Sequence, residues 1–429
     1  MSKKLVVISI DALGASDLSG DLSHLPTLRK LLKKGTHIKA VTGIYPTLTY
    51  PSHTSIITGE YPLKHGIVNN TKLQSQKTSP DWFWYYQAIK VPTLYDLAHQ
   101  VGLTTAAFLW PVTAKSPITY NIAEIFPNRI WTNQVLISLQ ASSPWFLFDM
   151  NRRFGHLRQG IQQPYLDDFV TACAVDTLVS KKPDLSLIHL VDMDSQRHEH
   201  GVTSQEAQAA LVRQDQRVKE IIESTKVAGT YDQTVFAILG DHYQIDVTKM
   251  IRLNYEFGLR GWQRTNKNQT TKSDWDVYAK SADGSTYIYC QESATVEPRE
   301  IREVIARVEG IEKIYTTEEV IHQGGPANCT FMVEAQAGYY FTDEAQGPVV
   351  ESVLPSEIGS TNRYRAVHGY SPQKPDYATT IVYAGPGIKE NYQIEQGQLV
   401  DEGPTFGAIL ELPPFPQTTA GKVVSEIFD

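Results

Sequence analysis

Four short runs of apolar, largely β-branched residues stand out along the chain: Leu5–Ile10, Leu185–Val191, Thr234–Leu239 and Ala378–Ala384. Each is too continuous to alternate between an inner and an outer face, the pattern of parallel strands buried on both sides. Between them lie stretches with helical periodicity: Leu25–Lys34, Pro92–Val101, Tyr165–Ser180 and Ser204–Val227. The last is amphipathic and opens on Ser204, a helix-capping residue, with Glu206 behind it. A final helix is expected near Pro404–Leu412. Alternating strand and helix predicts an α/β fold, a doubly wound and mostly parallel sheet flanked by helices.

Two stretches break the alternation. Residues from about 114 to 163 are rich in aromatic and basic side chains, among them Trp131, Trp145, Phe154 and Asn151-Arg152-Arg153, and read as a helical or irregular insertion. Residues 251–341 carry a polar turn at Arg264–Ser273, strand-like Trp275–Ala279 and Ser285–Cys290, and a helix over Pro298–Val308. That segment is expected to be a small α+β cap, leaving 1–250 and 342–429 as the core. No internal repeat is visible.

Composition narrows the class. In 429 residues, 41% hydrophobic and 20% charged residues supply a large core and exclude a disordered or collagenous chain. Lys+Arg number 39 against 47 Asp+Glu, a net charge of −8, which argues against bulk nucleic-acid binding. Cys173, Cys290 and Cys329 are scattered and odd in number, so they build neither a disulfide framework nor a CxxC zinc site, and packed thiols are expected. The apolar run at Leu5–Ile10 is too short for a signal segment, and no run reaches the roughly 18 residues of a membrane span. The expectation is a soluble, cytoplasmic chain with no membrane partner, in which the sequons at Asn69, Asn268 and Asn328 are idle. Oligomeric state is left open.

Candidate chemistry gathers at strand ends. Asp11 follows the first apolar run, Asp192 and Asp194 the second, and Asp241-His242 the third. In an open α/β sheet, ligands bind beyond the carboxyl ends of the strands, so these acids are expected on one rim. An N-cap role explains any one of them, but three coincident acids would repel one another unless a divalent cation neutralises them. Asp194 and His198 are four residues apart and face the same way on a helix. His242 adjoins Asp241, and His368 precedes the last apolar run. Mixed carboxylate and imidazole donors suit zinc, with manganese or iron as alternatives. Thr49 opens a short helical stretch that ends at Gly59, where a helix N-terminus favours an anion. Taken alone, that segment reads as a capping threonine.

Taken together and in order, Ile8-Ser-Ile-Asp11, Tyr45-Pro-Thr-Leu-Thr-Tyr-Pro-Ser-His53, Thr58-Gly-Glu-Tyr-Pro62, His65-Gly66-Ile67, Asp194–His198, Gly240-Asp-His242 and His368-Gly-Tyr370 say more. The set resembles the alkaline phosphatase superfamily, in particular its nucleotide pyrophosphatase/phosphodiesterase branch, and extends to Leu399-Val-Asp401 and Pro404-Thr405. The resemblance implies an alkaline phosphatase-like fold with two neighbouring zinc ions and a threonine that attacks phosphorus. On these positions, Asp11, Thr49, Asp241 and His242 would hold one ion, and Asp194, His198 and His368 the other. A pair about 3.5–4 Å apart activates the nucleophile and clamps the phosphoryl oxygens. Asp192 is expected beside the ligands rather than among them, and Ser52 and His53 are expected to shape the turn.

The segment His65-Gly66-Ile67-Val68-Asn69-Asn70 resembles the one that supplies an asparagine to a phosphate oxygen, which points to Asn70. A neutral donor with no arginine near Thr49 favours a diester or pyrophosphate over a monoester, unless Arg129 or Arg153 folds into the site. Trp82-Phe-Trp-Tyr-Tyr86 offers rings for a nucleobase or phenyl group, although such runs also serve packing. Arg152, Arg153 and Arg158 are candidates for an anionic substrate end. Tyr243 stands where superfamily members often have glycine, and the absence of Cys-x-Pro-x-Arg excludes a formylglycine sulfatase. The expected activity is metal-dependent hydrolysis of phosphodiester or pyrophosphate bonds in small, nucleotide-like substrates through a phospho-threonine. Alternatives are a phosphonoacetate hydrolase-like enzyme, a phosphomonoesterase or phosphomutase, and a metal-bearing binding protein without turnover.

Overall fold

The computed structural model describes residues 3–126, 133–266, 270–416 and 420–429. Trp131, Arg129 and Asn268 lie outside them. An eight-stranded sheet runs in the order Tyr392–Gln398, Gly35–Thr42, Thr379–Ala384, Thr234–Leu239, Lys4–Ile10, Leu185–Leu190, Thr105–Phe108 and Tyr120–Ile122. The four apolar runs of the sequence are the four adjacent strands at its centre. Lys4–Ile10 pairs in parallel with both neighbours. Thr379–Ala384 corrects the reading of those runs as uniformly parallel, because it lies antiparallel to both of its partners. Its unbroken apolar character reports burial on two faces, which either direction satisfies.

Alternation along the first strand separates the two faces. Val6, Ile8 and Ile10 pack with residues of the helices Pro26–Lys33, Tyr165–Ser180 and Gln205–Ala228. Leu5 and Val7 pack on the other side, with Ile56 and Ile57 of Thr49–Thr58 and Phe406 and Ile409 of Glu402–Ile409. Ser204 Oγ caps the long helix by accepting the Ala207 N–H at 3.1 Å, and Gly229 at φ 70° ends it. No helix among the described residues is long and apolar enough to cross a membrane.

The first irregular stretch contributes the edge strand Tyr120–Ile122 and the helices Gln134–Ala141 and Pro144–Phe154. A second, four-stranded sheet is formed by Ile311–Thr316, Phe331–Ala335, Ser285–Cys290 and Val277–Ala282, with the helices Pro298–Ile305 and Thr317–His322. Its apolar cluster reaches from Val247 to Tyr377. The hairpin between Val277–Ala282 and Ser285–Cys290 turns at Asp283, φ 60°, and Gly284 donates its N–H to the His368 carbonyl at 2.8 Å. The cap thereby meets the main sheet beside a candidate metal donor.

Candidate active site

Parallel pairing in register, with Ile10 opposite Leu190 and Ser9 opposite Leu239, ends three central strands on one edge. Asp11, Asp241 and His242 form one cluster there, their donor atoms all within 4.8 Å of one another. His242 Nε2 lies 3.3 Å from Asp11 Oδ1, 3.3 Å from Asp241 Oδ2 and 3.1 Å from Thr49 Oγ1. The far oxygens are pinned: Asp11 Oδ2 sits 3.0 Å from His189 Nε2, and Asp241 Oδ1 accepts the Ala12 N–H at 3.2 Å. Asp11 Oδ1 and Asp241 Oδ2 are buried with no hydrogen-bond partner. Burial, then the charge of Asp194, pushes the Asp11 carboxyl well above the usual range, and burial, then Asp11, does the same to Asp241. Orphaned buried oxygens converging on one imidazole nitrogen fit a cation, which relieves both desolvation and repulsion.

The second cluster is Asp194, His198 and His368. Helix Asp192–His200 places His198 Nε2 3.4 Å from Asp194 Oδ1, and His368 Nε2 lies 4.0 Å from the same oxygen. His198 Nδ1 donates to the Ala366 carbonyl at 2.8 Å and His368 Nδ1 to the Thr47 carbonyl at 3.1 Å. Because a carbonyl only accepts, the protons sit on Nδ1 and both Nε2 lone pairs are left for an ion. The rings of His242 and His368 stack at 4.0 Å, so the clusters are side by side.

Thr49 is the first residue of a buried helix, Thr49–Thr58, that Gly59 closes at φ 68°. The next N–H, from Tyr50, donates to Asn70 Oδ1 at 2.9 Å. That bond fixes the amide and leaves its NH2 as the donor on the cavity wall. His53 braces the same turn, Nδ1 donating to the Thr49 carbonyl at 2.8 Å and Nε2 meeting Ser9 Oγ at 2.9 Å. Asp192 stands outside both clusters, held by Arg213 at 2.7 Å and Arg217 at 3.0 Å. Tyr243 is accommodated by Gly14, where any Cβ would run into its ring, and by Arg197, 4.8 Å over the ring.

One cavity of about 910 Å³ is lined by Asp11 of the first cluster, by Asp194, His198 and His368 of the second, and by Thr49, Asn70, Trp82, Glu124, Arg158 and Lys280. Of the five-residue aromatic run only Trp82 lines it, with its ring edge-on to Tyr50 and Phe126, each at 5.2 Å. Trp84 is buried in the apolar cluster behind Trp82, with Tyr50, Ala123 and Ile125. Arg152 and Arg153 pair with Asp149 and Asp176 at exposed positions, so neither serves the site. Sequence reasoning missed His189, which holds Asp11, Gln244, which donates to Asp194 Oδ1, and Glu124, whose carboxyl burial raises to about 7. A signal existed for His189, the one ring nitrogen donor inside the apolar run Leu185–Leu190.

A sheet of this order, with acids and imidazoles converging in two clusters beside a helix-borne threonine, defines an alkaline phosphatase-like α/β protein with the donor set of a two-metal site. The chain belongs to the type I phosphodiesterase / nucleotide pyrophosphatase family, which it matches over residues 5–371. It is 27% identical over 266 residues to ectonucleotide pyrophosphatase/phosphodiesterase family member 1 of Homo sapiens, covering 59% of this chain and 25% of that one. It is 22% identical over 438 residues to the bis(5'-adenosyl)-triphosphatase ENPP4 of Pongo abelii, covering 96% and 79%. The chain spans about a quarter of the length of the curated relatives it matches first. Human ectonucleotide pyrophosphatase/phosphodiesterase 5 shares the fold with a TM-score of 0.69 at 18% identity, each chain covered 100%. The murine protein, solved as an inactive threonine-to-alanine variant in complex with AMP, gives 0.68 at 17%, again with 100% of both chains covered.

Proposed function

We propose that this chain hydrolyses phosphodiester or pyrophosphate bonds of small, nucleotide-like substrates by way of a phospho-Thr49 intermediate, with two divalent ions as cofactors. The observation that carries the reading is Thr49 Oγ1 at 3.1 Å from His242 Nε2, beside the two unpartnered carboxylate oxygens of Asp11 and Asp241. Asp11, Thr49, Asp241 and His242 are the residues for one ion, and Asp194, His198 and His368 for the other. Their mix of carboxylate and imidazole suits zinc, ahead of manganese or iron. Bound there, such ions supply Lewis acidity to the phosphoryl oxygens and lower the pKa of a coordinated hydroxyl.

The protein's own part is positioning. The first helical turn fixes Thr49 Oγ1 where backbone N–H groups and the helix dipole favour an anion. Thr49 gives its proton to solvent as Oγ1 bonds phosphorus, and the ester or anhydride oxygen leaves on the opposite side with the electron pair of the broken P–O bond and takes up a proton from water. Water then cleaves the Thr49–phosphorus bond and restores the hydroxyl. Asn70 donates from its NH2 to a phosphoryl oxygen while Tyr50 holds its carbonyl end. Asn70 is a neutral donor, which suits a phosphoryl group with one oxygen already esterified. The relatives' names, nucleotide pyrophosphatase/phosphodiesterase and bis(5'-adenosyl)-triphosphatase, support the same substrate class. The test is a turnover screen of the zinc-loaded protein on aryl monoesters, aryl diesters, dinucleoside polyphosphates and phosphonoacetate. Diesters or dinucleotides should lead, and turnover of phosphonoacetate or monoesters alone would refute the reading.

A further inference from the structure

The cap grips the backbone of the loop that begins at His368. Gly284 donates its N–H to the His368 carbonyl at 2.8 Å, and Ser285 Oγ donates to the Gly369 carbonyl at 2.6 Å. Glu334, opposite Ser285 on the strand Phe331–Ala335, accepts the Ser371 N–H on both oxygens, at 3.0 and 3.1 Å. Its Oε2 also accepts the hydroxyl of Tyr45, four residues before Thr49, at 2.7 Å. Lys374 Nζ stands 3.4 Å from Oε1 and bonds Glu312 and the Ala335 carbonyl as well. Glu334 and Tyr45 are both buried. A buried carboxylate is costly unless donors satisfy its oxygens, and here two of the donors come from different loops of the candidate site. A carboxylate only accepts, so both loops can converge on it, whereas a glutamine would offer a single oxygen. Adhesion of the cap needs no acid at this place, because Tyr45 already packs with Tyr287, Val320 and Met332.

We infer that Glu334 is a positioning residue: from the cap it clamps the loop that carries Thr49 to the loop that carries His368. The path is short on both sides. Thr47 lies between Tyr45 and Thr49, and its carbonyl takes the His368 Nδ1–H at 3.1 Å and the Gly369 N–H at 2.9 Å. A shift at Tyr45 or at Ser371 therefore displaces the hydroxyl and turns the imidazole relative to one another. The inference rests on the phosphodiesterase reading for what the two loops do, and it gives the cap a part in holding their geometry.

The test cuts the two ties separately. Burial pushes the Glu334 carboxyl up to about 7, so the assays run near pH 8.5, where it is ionised. Tyr45→Phe removes the tie to the Thr49 loop alone: kcat on bis(4-nitrophenyl) phosphate should fall by up to about 10²-fold, while KM and both zinc affinities stay at wild type. Glu334→Ala removes both ties. Zinc titrated into its apoprotein should bind one site, the one His368 serves, about 10–100-fold more weakly and the other as before. Glu334→Gln, which keeps one acceptor oxygen and a similar volume, is the variant for the case that alanine does not fold, and it should show the same pattern in smaller measure. In either Glu334 variant hydrogen–deuterium exchange should quicken over residues 45–50 and 368–371 ahead of the cap strands. Wild-type kcat in Tyr45→Phe, or unchanged zinc affinity in the Glu334 variants, overturns the inference, as does an equal loss of both ions with faster exchange throughout the cap. A wild-type protein that turns over no phosphodiester sinks the hydrolase reading instead, and exchange in the two loops still decides the clamp.

Discussion

Asn70 joins the helix that carries Thr49 to the cavity wall, and two substitutions separate its bracing bond from the donor role proposed for it. Its Oδ1 accepts the Tyr50 N–H at 2.9 Å, and Tyr50 is fully buried. Asn70→Ala removes the NH2 donor proposed to meet the phosphoryl oxygen and also strands that N–H. Losing one donor to the developing charge costs about 10²–10³ in kcat, and a stranded buried N–H costs about 1–3 kcal/mol of stability. Asn70→Asp keeps an acceptor for Tyr50 and sets a carboxylate at a helix N-terminus, worth roughly 0.3–1 kcal/mol in favour of the fold. It replaces the donor with a negative charge facing the phosphoryl oxygen. Alanine should therefore lower both activity and urea midpoint, whereas aspartate should hold the midpoint and lose at least as much activity. The assay is kcat and KM on bis(4-nitrophenyl) phosphate with the two midpoints measured alongside. An aspartate variant with wild-type kcat/KM refutes the donor role, and an alanine variant of unchanged stability refutes the bracing role.

Thr49→Ala should abolish turnover and Thr49→Ser should keep part of it, since a hydroxyl in the same turn remains; phosphate trapped on any other residue rejects the assignment. Elemental analysis of the zinc-reconstituted protein should find two ions per chain, with His368→Ala losing one and keeping the other; equal loss of both contradicts the division into clusters. Acid sensitivity should centre partly on His65, whose Nδ1 accepts the Ile67 N–H at 3.1 Å and whose ring burial pushes down to about 3. With the folded value below the unfolded one of about 6.5, the unfolded chain takes up the proton first and stability falls as pH drops through that window. Between pH 7 and pH 5 this amounts to roughly 2 kcal/mol; His65→Gln should shrink that loss in urea unfolding, and an unchanged pH dependence contradicts it.

How much of this was legible follows burial. The central strands announced themselves because both their faces are covered, which forces continuous apolar runs, and the acids at their ends followed. The helix at Asp192–His200 was legible through the four-residue spacing of Asp194 and His198. The outer strands were not. Gly35–Thr42 carries His37 and Lys39, Thr105–Phe108 is only four residues, and Tyr392–Gln398 is an edge strand with mostly exposed side chains. Periodicity is silent on direction as well, which is why Thr379–Ala384 was expected to be parallel.

What sequence order could suggest only by resemblance is how His368 comes to face residues more than a hundred positions away. The structure supplies a local cause. Thr47, two residues before Thr49, gives its carbonyl to both His368 Nδ1–H and the Gly369 N–H, and its Oγ1 meets Gly369 and Tyr370 backbone. Gly369 sits at φ 83°, and a Cβ there would collide with the Ala282 carbonyl of the cap hairpin. Tyr370 then lays its ring where a side chain on Gly284 would be. The His-Gly-Tyr triplet is thus a three-way seam between the loop that carries Thr49, the cap hairpin and one candidate donor cluster. Each of its residues is set by a contact that only the folded chain creates.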